Sequence, residues 1–516
     1  MMTGADPQTP WLTTLRAFTH PRVVTMLFLG FSAGIPILLI FSSLSLWLRE
    51  AGVERAAVTY FSWAALGYSF KFVWAPLVDQ LPIPWLSRLL GKRRAWILVA
   101  QLAIIMAILF MASINPQESQ YSLTLMALAA VLLGFSSATQ DIVIDAYRIE
   151  SAESDLQALM SATYIAGYRI GMLVAGAGSL YLAAIFGSTK DAYNYQAWQY
   201  TYGLMAAVML IGIVTTLVIK ESENKAAIGQ DSNLSENLRF LLLFLVMVTG
   251  FVGCFYLFGD MARSVKSVLA ELFSNRFLAG FLVECLRLTI AIGVAATLAL
   301  VLLKIEFVSY VMVNRSYLMP VRDFFRRYGL SLAWILLALI GLYRISDIVL
   351  GVISNVFYQD LGFSKIEIAS VVKTFGLLMT IVGGFAGGLL AVRFGVMRIL
   401  FLGAFLSAAT NLLFMQLASA GHDLVWLYIV ISADNLSAGI ASAAFVAFLS
   451  SLTNISFTAT QFAIFTSLMT LLPKVIGGYS GTMVDSIGYP IFFLLTALMG
   501  IPVLLLIAYA SRRYRW

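Results

Sequence analysis

Two aspartates four positions apart are the first residues in this sequence that could do chemistry. Asp141 and Asp145 lie in a long apolar segment, directly after Gln140. Residues four apart share one face of a helix. Two neighbouring carboxylates in an apolar medium resist simultaneous ionisation, so one of them would hold a proton. The pair is a candidate proton carrier; the alternative is a static ion pair with Lys71 or Arg169 that only holds helices together.

A second charged pair lies in the second half of the chain. Arg344 and Asp347 are three positions apart in another apolar segment. They either pair with each other or act separately, with Arg344 receiving a substrate carboxylate and Asp347 exchanging protons. Charges inside apolar segments are costly to bury and are a default indication of function. Asp434 and its neighbour Asn435 are further candidate substrate contacts.

Cations occupy related places in the two halves of the chain, namely Lys71, Arg169, Lys373 and Lys474. If these cations converge on one cavity, they would suit an anionic substrate. Tyr68, Tyr164 and Tyr168 lie near them in sequence. Their rings and hydroxyls suit sugar recognition, although a tyrosine in such a chain more often packs in the core or faces lipid.

Motifs of soluble enzymes are absent from the sequence. The two histidines, His20 and His422, lie at the edges of apolar segments, which disfavours a histidine triad or a metal site. No glycine-rich phosphate loop occurs, which disfavours an ATP-driven pump. We therefore expect no enzyme activity, no metal and no cofactor, with protons as the coupling ion.

The elements that must position these residues are membrane-spanning helices. The 516 residues are 60% hydrophobic and only 11% charged, with a mean hydropathy of +0.89. A soluble domain is about 25% charged. A span needs about 20 apolar residues, and about fourteen segments qualify. Backbone groups in lipid must be satisfied internally, so these segments are helices. Their cores are residues 23–48, 56–78, 95–113, 121–147, 157–186, 199–219, 239–258, 280–304, 330–357, 366–391, 396–418, 424–451, 457–483 and 488–511.

Basic residues indicate the orientation of these spans. The formal net charge of +7 comes from residues at the edges of apolar segments rather than from a soluble basic domain, so a nucleic-acid partner is not expected. Most Lys and Arg fall on one side when the first residues are placed in the cytoplasm, as the positive-inside rule requires. Both termini are then cytoplasmic, and the start of the chain does not have the pattern of a cleavable signal.

The chain also repeats itself. Gly134, Ser137 and Ala138 recur with the same spacing as Gly439, Ser442 and Ala443. Two parallel six-helix repeats are typical of major facilitator transporters. The surplus helices lie between the halves, where segment 260–277 would be an outer loop or an interfacial helix. The predicted divisions are a tail at 1–22, a six-helix bundle at 23–220, a linker with two inserted helices at 221–329, a second bundle at 330–511 and a tail at 512–516.

Small residues recur in the predicted spans at intervals that let helices approach closely. They form the pairs Gly30 and Gly34, Gly167 and Gly171, Gly383 and Gly387, and Gly477 and Gly481. Simple packing is one reading of this pattern. Smooth contacts on which helices slide in a rocking transporter are the other.

These residues lie in strings that resemble the AmpG muropeptide permease family across residues 24 to 490. The strings are GYSFKFVWAPLVD (67–79), GKRRAW (91–96), SSATQDIVIDAY (136–147), GYRIGMLV (167–174), RDFF (322–325), VVKTFGLLMTIVGG (371–384), DNLSAGIASAAFVAFL (434–449) and SFTATQF (456–462). The most specific of these motifs are TQDIVIDA (139–146) and GYRIGM (167–172).

The resemblance implies a monomeric permease of the Gram-negative inner membrane. Such proteins import GlcNAc–anhydro-MurNAc peptides with the proton motive force, for cell-wall recycling and beta-lactamase induction. Those substrates carry sugars and carboxylates, in agreement with the cations and tyrosines above. The resemblance also implies a gate at Asp79 with Lys92, Arg93 and Arg94, whereas the second half has Val392 where an Asp is usual.

Other functions remain open at the level of sequence. A relative within the same superfamily would carry another anionic cargo, such as acyl-coenzyme A or a siderophore. A membrane enzyme acting on lipid-linked sugars would have only Asp141 and Asp145 as a plausible catalytic pair, and the internal repeat argues against it. A sensor that does not transport would bind muropeptide without accumulating it.

Overall fold

The computed structural model of this protein describes residues 17–53, 68, 70–151, 154–189, 192–221, 234–272, 276–364, 367–477 and 480–513. The regular structure of these residues is helical. The helices are α1 (Pro21–Leu38), α2 (Leu44–Glu50), α3 (Ala75–Gln80), α4 (Leu86–Leu90), α5 (Lys92–Ala112), α6 (Gln120–Ser151), α7 (Ser154–Leu173), α8 (Ser179–Ile185), α9 (Tyr195–Val208), α10 (Leu210–Val218), α11 (Leu234–Leu257), α12 (Gly259–Leu272), α13 (Arg276–Lys304), α14 (Tyr310–Val313), α15 (Met319–Leu342), α16 (Ile345–Asp360), α17 (Gly376–Phe394), α18 (Val396–Ala420), α19 (Leu424–Leu452), α20 (Thr458–Gly477), α21 (Ser480–Leu498) and α22 (Gly500–Arg513).

Shorter helical segments lie between several of these helices. Turns of 3-10 helix occur at Ala17–Thr19, Lys71–Val73 and Ile455–Phe457. Wider π-helical segments occur at Leu39–Ser43, Val174–Gly178, Asn314–Leu318 and Ile368–Phe375. π segments inside helices are rare and often mark functional sites. The positions of these four segments are therefore relevant to the positions of the buried charges.

Twelve helical stretches among the described residues are long and apolar enough to cross a membrane. They match twelve of the predicted segments, which confirms an all-helical membrane protein. Predicted segment 56–78 overlaps residues 54–67 and 69, which lie outside the described residues. Predicted segment 457–483 forms α20 but is not among the twelve.

The chain divides into two compact units, and the first contains Met1–Val78, Pro82–Ala227 and Phe324–Trp516. This unit has two hydrophobic cores. In the amino-terminal half, before residue 222, Trp47 stacks on Trp198 with ring centroids 5.6 Å apart. In the carboxyl-terminal half, after residue 323, Phe357 packs on Phe493 with centroids 4.7 Å apart. The predicted domain boundaries themselves stay predictions.

The second unit contains Asp79–Leu81 and Ile228–Asp323. Within it α11 and α13 pack against each other, and α12 packs on α13. The predicted interfacial segment begins as α12, which exposes Met261, Val268 and Leu272 on one face. The helix is therefore amphipathic, and its exposed apolar face is of the kind that lies against a membrane surface.

Glycines bring pairs of helices into backbone contact within the first unit. A Cβ atom at Gly30 or Gly34 would overlap the backbone of α7, and one at Gly167 would overlap the Leu27 carbonyl oxygen of α1. Gly383 makes the same kind of approach to Leu436 of α19. Close approach of helices therefore holds for the first three predicted pairs. It does not hold for Gly477 and Gly481, since a Cβ atom at Gly481 would meet only the Ile353 side chain, at 4.0 Å.

Replacing Gly167 by alanine should destabilise the protein, because the new Cβ forces α1 and α7 apart. Overpacking of this kind costs about 1–3 kcal/mol. Thermal unfolding of the detergent-solubilised protein measures the loss. Gly203→Ala in α9 is the matched control, since nothing lies within 4 Å of a Cβ there. Equal unfolding temperatures for the two variants would contradict this packing role.

Candidate functional site

A network of buried charges in the amino-terminal half centres on Asp145. One carboxylate oxygen lies 3.9 Å from Lys71 Nζ, and the other accepts a hydrogen bond of 3.2 Å from the Arg148 guanidinium. Less than a tenth of each of these three side chains is exposed. Two cations therefore compensate one buried carboxylate. The structure thus pairs Lys71 with Asp145.

Asp141 lies one helical turn from Asp145, but its surroundings differ. Its Oδ1 accepts a hydrogen bond of 3.4 Å from the Tyr164 hydroxyl. Among the described residues no cation lies within ion-pair distance of this carboxylate. A long hydrogen bond from a neutral donor does not compensate a buried negative charge. Of the two aspartates, Asp141 is therefore the one suited to hold a proton.

The predicted aromatic and amide contacts surround this pair. Tyr68 donates a hydrogen bond of 2.6 Å to Ser137 on α6. The rings of Tyr164 and Tyr168, on α7, have centroids 6.1 Å apart. Gln140 is fully buried and lies 3.4 Å from Ser32 Oγ of α1. Gln140 thus connects α6 to α1. Tyr68, Tyr164 and Tyr168 all lie within electrostatic reach of Asp141.

A matching charged cluster lies in the carboxyl-terminal half. Arg344 Nε lies 3.1 Å from an oxygen of Asp347, although its N–H bond does not point at that oxygen. Arg344 also donates a hydrogen bond of 2.6 Å to Ser442, and the second oxygen of Asp347 accepts one from Ser407. The predicted pair between Arg344 and Asp347 is therefore present. The Arg344 guanidinium still has N–H groups that could donate to a ligand.

Asp434 and Asn435 extend this cluster on α19. Asp434 Oδ1 accepts a hydrogen bond of 3.4 Å from Thr410. Asn435 Oδ1 accepts one of 2.9 Å from Thr380, so the amide holds α19 against α17. Both side chains are half-buried. The Asn435 amide thus has a hydrogen bond of normal length, whereas the Asp434 carboxylate has only a long one.

Arg169 and Arg344 bring one guanidinium from each half into electrostatic contact. The two groups are close enough to repel each other. Arg169 makes no hydrogen bond or ion pair with any residue in the described part of the chain. Guanidinium groups bind carboxylates through paired hydrogen bonds. This arrangement is therefore a candidate receptor for an anion.

The helix at the predicted cations differs in regularity from one cation to the next. Lys373 is an exposed residue of the π segment Ile368–Phe375 and has an interaction partner. Lys474 belongs to α20, but its side chain lies outside the described residues. Lys71 lies in the 3-10 turn Lys71–Val73, and Arg344 lies at the break between α15 and α16. Three of these cations thus lie where the helix is irregular.

An inter-half contact joins the two halves at the ends of α6 and α19. Arg148 is fully buried and donates a hydrogen bond of 2.7 Å to Ser450. Its guanidinium also lies 5.2 Å from the ring centroid of Phe462. Thr458 donates a hydrogen bond of 2.7 Å to Glu150. We call these five residues the inter-half contact.

Packing of α7 against α17 continues the join at the same end. A Cβ atom at Gly388 would lie 2.7 Å from the Ala162 methyl group and 3.2 Å from the Ala158 carbonyl oxygen. The two halves are therefore in direct contact near the start of α7 and the end of α17.

Predicted gating residues lie at this joined end. Arg93 forms an ion pair with Glu150, with an N–O distance of 2.6 Å, and also donates to the Val78 carbonyl oxygen. Glu221 accepts hydrogen bonds from the backbone N–H groups of Arg93 and Arg94 and so caps α5. Burial raises the pKa of Glu221 despite these two bonds.

The other two gating candidates begin and end neighbouring helices. Asp79 is buried near the end of α3, and Lys92 is the first residue of α5. Both have interaction partners. Their gating role stays a prediction.

The sequence analysis did not single out Arg148 and Glu150. Arg148 follows Asp145 by three positions, which is the spacing noted for Arg344 and Asp347, so that spacing was an available signal. The partners of these residues lie about three hundred positions away, and nothing in the sequence indicates them.

Comparison with known proteins now agrees with this geometry. The family profile of the Major Facilitator Superfamily matches residues 26–355. The chain belongs to this superfamily and, within it, to the AmpG family. A relative in Rickettsia felis, "Putative transporter AmpG 4", is 29% identical over 96% of this chain and 98% of its own. The "Anhydromuropeptide permease" of Escherichia coli K12 is 29% identical over 96% of this chain and 80% of its own.

Solved structures share the fold. The proton:xylose symporter XylE, bound to 6-bromo-6-deoxy-D-glucose, gives a TM-score of 0.59 at 13% identity, over 95% of this chain and 94% of its own. FucP in the outward conformation gives 0.58 at 12% identity, over 96% of this chain and 100% of its own. The protein is therefore a multi-pass membrane transporter of the major facilitator fold.

Replacing Glu150 by glutamine should destabilise the protein, because Arg93 is then left buried without its counter-charge. Breaking a buried pair in this way costs about 3–5 kcal/mol. Thermal unfolding in detergent measures the loss. Asp260→Asn is the matched control, since its ion pair with Arg263 is exposed and should contribute little. A wild-type unfolding temperature for Glu150→Gln would show that the buried pair does not stabilise this end.

Proposed function

We propose that this protein imports muropeptides, the GlcNAc–anhydro-MurNAc peptides released from peptidoglycan, from the periplasm to the cytoplasm of a Gram-negative bacterium. The supporting observation is the pair of repelling guanidinium groups, Arg169 and Arg344, one in each half. A muropeptide carries peptide carboxylates, and one carboxylate between the two groups turns repulsion into attraction. The printed name of the Escherichia coli relative supports this class of substrate.

Binding at this place would also drive the conformational change. An anion bound to both Arg169 and Arg344 favours the state in which the two halves approach around it. A ligand shifts such an equilibrium only by its differential affinity for the two states. A bridging carboxylate has that differential affinity, because its contacts with both halves form together.

The orientation follows from the basic residues at the joined end. Arg93 and Arg94 lie there beside the inter-half contact, and the positive-inside rule assigns such residues to the cytoplasm. The halves are then joined on the cytoplasmic side, and substrate enters from the periplasm. The protein acts as a monomer in the inner membrane, and the imported fragments serve cell-wall recycling and beta-lactamase induction.

Protons supply the energy in this proposal. Asp141 binds a proton at a place where its only hydrogen-bond donor among the described residues is the Tyr164 hydroxyl. Neutralising Asp141 removes a negative charge beside the anion receptor, so the loaded form becomes easier to reach. Asp145 lies between Lys71 and Arg148 and keeps the inter-half residues in place.

Uptake of a labelled GlcNAc–anhydro-MurNAc tripeptide into proteoliposomes tests the function directly. We expect accumulation when an inward proton gradient is imposed, and competition by unlabelled muropeptide. Accumulation of acyl-coenzyme A or a siderophore instead would replace the substrate. Binding without accumulation would identify a sensor.

Replacing Arg169 or Arg344 by glutamine should weaken muropeptide binding. A hydrogen bond to a charged group contributes about 1.5–3 kcal/mol, which is a loss of roughly 10- to 150-fold in affinity. Equilibrium binding of the labelled tripeptide in detergent measures it. Arg513→Gln, in the exposed end of α22, is the charge-matched control. If all three variants bind equally, the guanidinium pair is not the receptor.

Replacing Asp141 by asparagine should abolish gradient-driven accumulation and leave exchange of substrate across the membrane at equal pH. The reason is that asparagine cannot carry a proton but keeps the size of the side chain. Parallel measurements of net uptake and of exchange separate the two steps. Asp145→Asn should instead lower the unfolding temperature, since Lys71 and Arg148 lose their counter-charge. Accumulation by Asp141→Asn at the wild-type level would remove Asp141 as the proton carrier.

A further inference from the structure

A carboxylate with one weak partner occurs a second time, in the carboxyl-terminal half. Asp434 accepts a single hydrogen bond, of 3.4 Å from Thr410, among the described residues. No cation in that part of the chain lies within ion-pair distance of it. An ionised carboxylate in this half-buried position would be poorly compensated, which favours the neutral form of the group.

The charged neighbours of Asp434 do not change this balance. Arg344 and Asp347 act on it from the break before α16 and from α16 itself, and Tyr358 faces it from the same helix. The charge of Arg344 is already shared with Asp347. From α17, Thr380 binds the neighbouring Asn435 rather than Asp434. The electrostatic effects of Arg344 and Asp347 on Asp434 therefore largely cancel each other.

The same two-part arrangement is present in both halves. Each half has one carboxylate three positions from an arginine with which it pairs, Asp145 with Arg148 and Asp347 with Arg344. Each half also has one carboxylate whose single donor is a hydroxyl at 3.4 Å, Asp141 with Tyr164 and Asp434 with Thr410. The weakly partnered carboxylates lie on α6 and α19, which correspond to each other in the repeat.

Asp141 and Asp434 nevertheless occupy different depths. Asp141 lies ten residues before the end of α6, and Asp434 lies ten residues after the start of α19. At 1.5 Å per residue each is about 15 Å from an opposite end of its helix. Corresponding helices of parallel repeats run in the same direction, so Asp434 is the carboxylate farther from the inter-half contact.

We propose that Asp434 is a second proton-binding site, in series with Asp141. Its position next to Arg344 links it to the anion receptor: a substrate carboxylate on Arg344 adds negative charge near Asp434 and so favours its protonated form. By linkage, a proton on Asp434 then favours substrate binding to the same extent. This coupling rests on the proposed function, whereas the presence of a proton on Asp434 does not.

Infrared spectroscopy of the purified protein in lipid at neutral pH tests proton binding without any substrate. A protonated carboxyl group gives a carbonyl band that an ionised carboxylate lacks. We expect the wild type to show this band, Asp434→Asn to lose part of it, and Asp141→Asn with Asp434→Asn to lose more. Asp260→Asn is the control, since that carboxylate is exposed, pairs with Arg263 and does not neighbour Asp434. An undiminished band in Asp434→Asn overturns the proposal.

A second variant keeps the test decisive if Asp434→Asn does not fold. Thr410→Val retains the carboxyl group and removes the one hydroxyl that donates to it in the described part of the chain. The band of Asp434 should then shift to higher frequency, because one hydrogen bond to the group is lost. An unshifted band in Thr410→Val contradicts the proposed site.

Proton counting during transport tests the coupling. With a pH-sensitive dye in proteoliposomes, we expect Asp434→Asn to halve the number of protons that enter with each muropeptide. An unchanged ratio would exclude Asp434 from the coupled step. If the wild type moves no muropeptide at all, the proposed function fails, and the infrared measurement still decides whether Asp434 carries a proton.

Discussion

A charge that is buried in a membrane must either meet an opposite charge or lose its own. Both solutions occur in this protein within one turn of helix. Asp145 meets Lys71 and Arg148, whereas Asp141 has only a distant hydroxyl. The difference between these two environments separates a structural charge from one that can change, and the transport scheme depends on that separation.

Two kinds of helix contact hold the fold together, namely backbone contacts at glycines and contacts between polar side chains. Glycines such as Gly30 and Gly167 let α1 and α7 meet backbone to backbone, so the two helices move as one body. Between the halves, by contrast, Arg148 reaches Ser450 through a long side chain. Gly388 of α17 also packs closely against Ala162 of α7, so polar side chains and close packing both join the halves.

Much of the fold could be predicted because hydropathy acts segment by segment. Each span must satisfy its own backbone, so its length and composition suffice to find it. The spacing of Asp141 and Asp145 likewise sufficed to place them on one face. The partners could not be predicted, since the rotation of each helix depends on packing. The sequence did not separate Lys71 from Arg169 as the partner of Asp145, and it gave no sign of Glu150 meeting Thr458.

Local irregularity was equally hidden from the sequence. Arg344 lies where α15 gives way to α16, and Lys373 lies in a π segment. Hydropathy treats both places as continuous apolar helix. What distinguishes them is which backbone hydrogen bonds form, and tertiary packing settles that choice.

The inter-half contact has a consequence for how the protein is distributed between its states. It consists of hydrogen bonds at Ser450 and Thr458 and one cation–π contact at Phe462. Such bonds contribute about 1 kcal/mol each, so these polar contacts together favour the joined state by a few kcal/mol, and the packing of α7 against α17 adds to them. A ligand shifts the equilibrium between two states only by its differential affinity for them. Any ligand that separates the halves must therefore offset both the polar contacts and this packing.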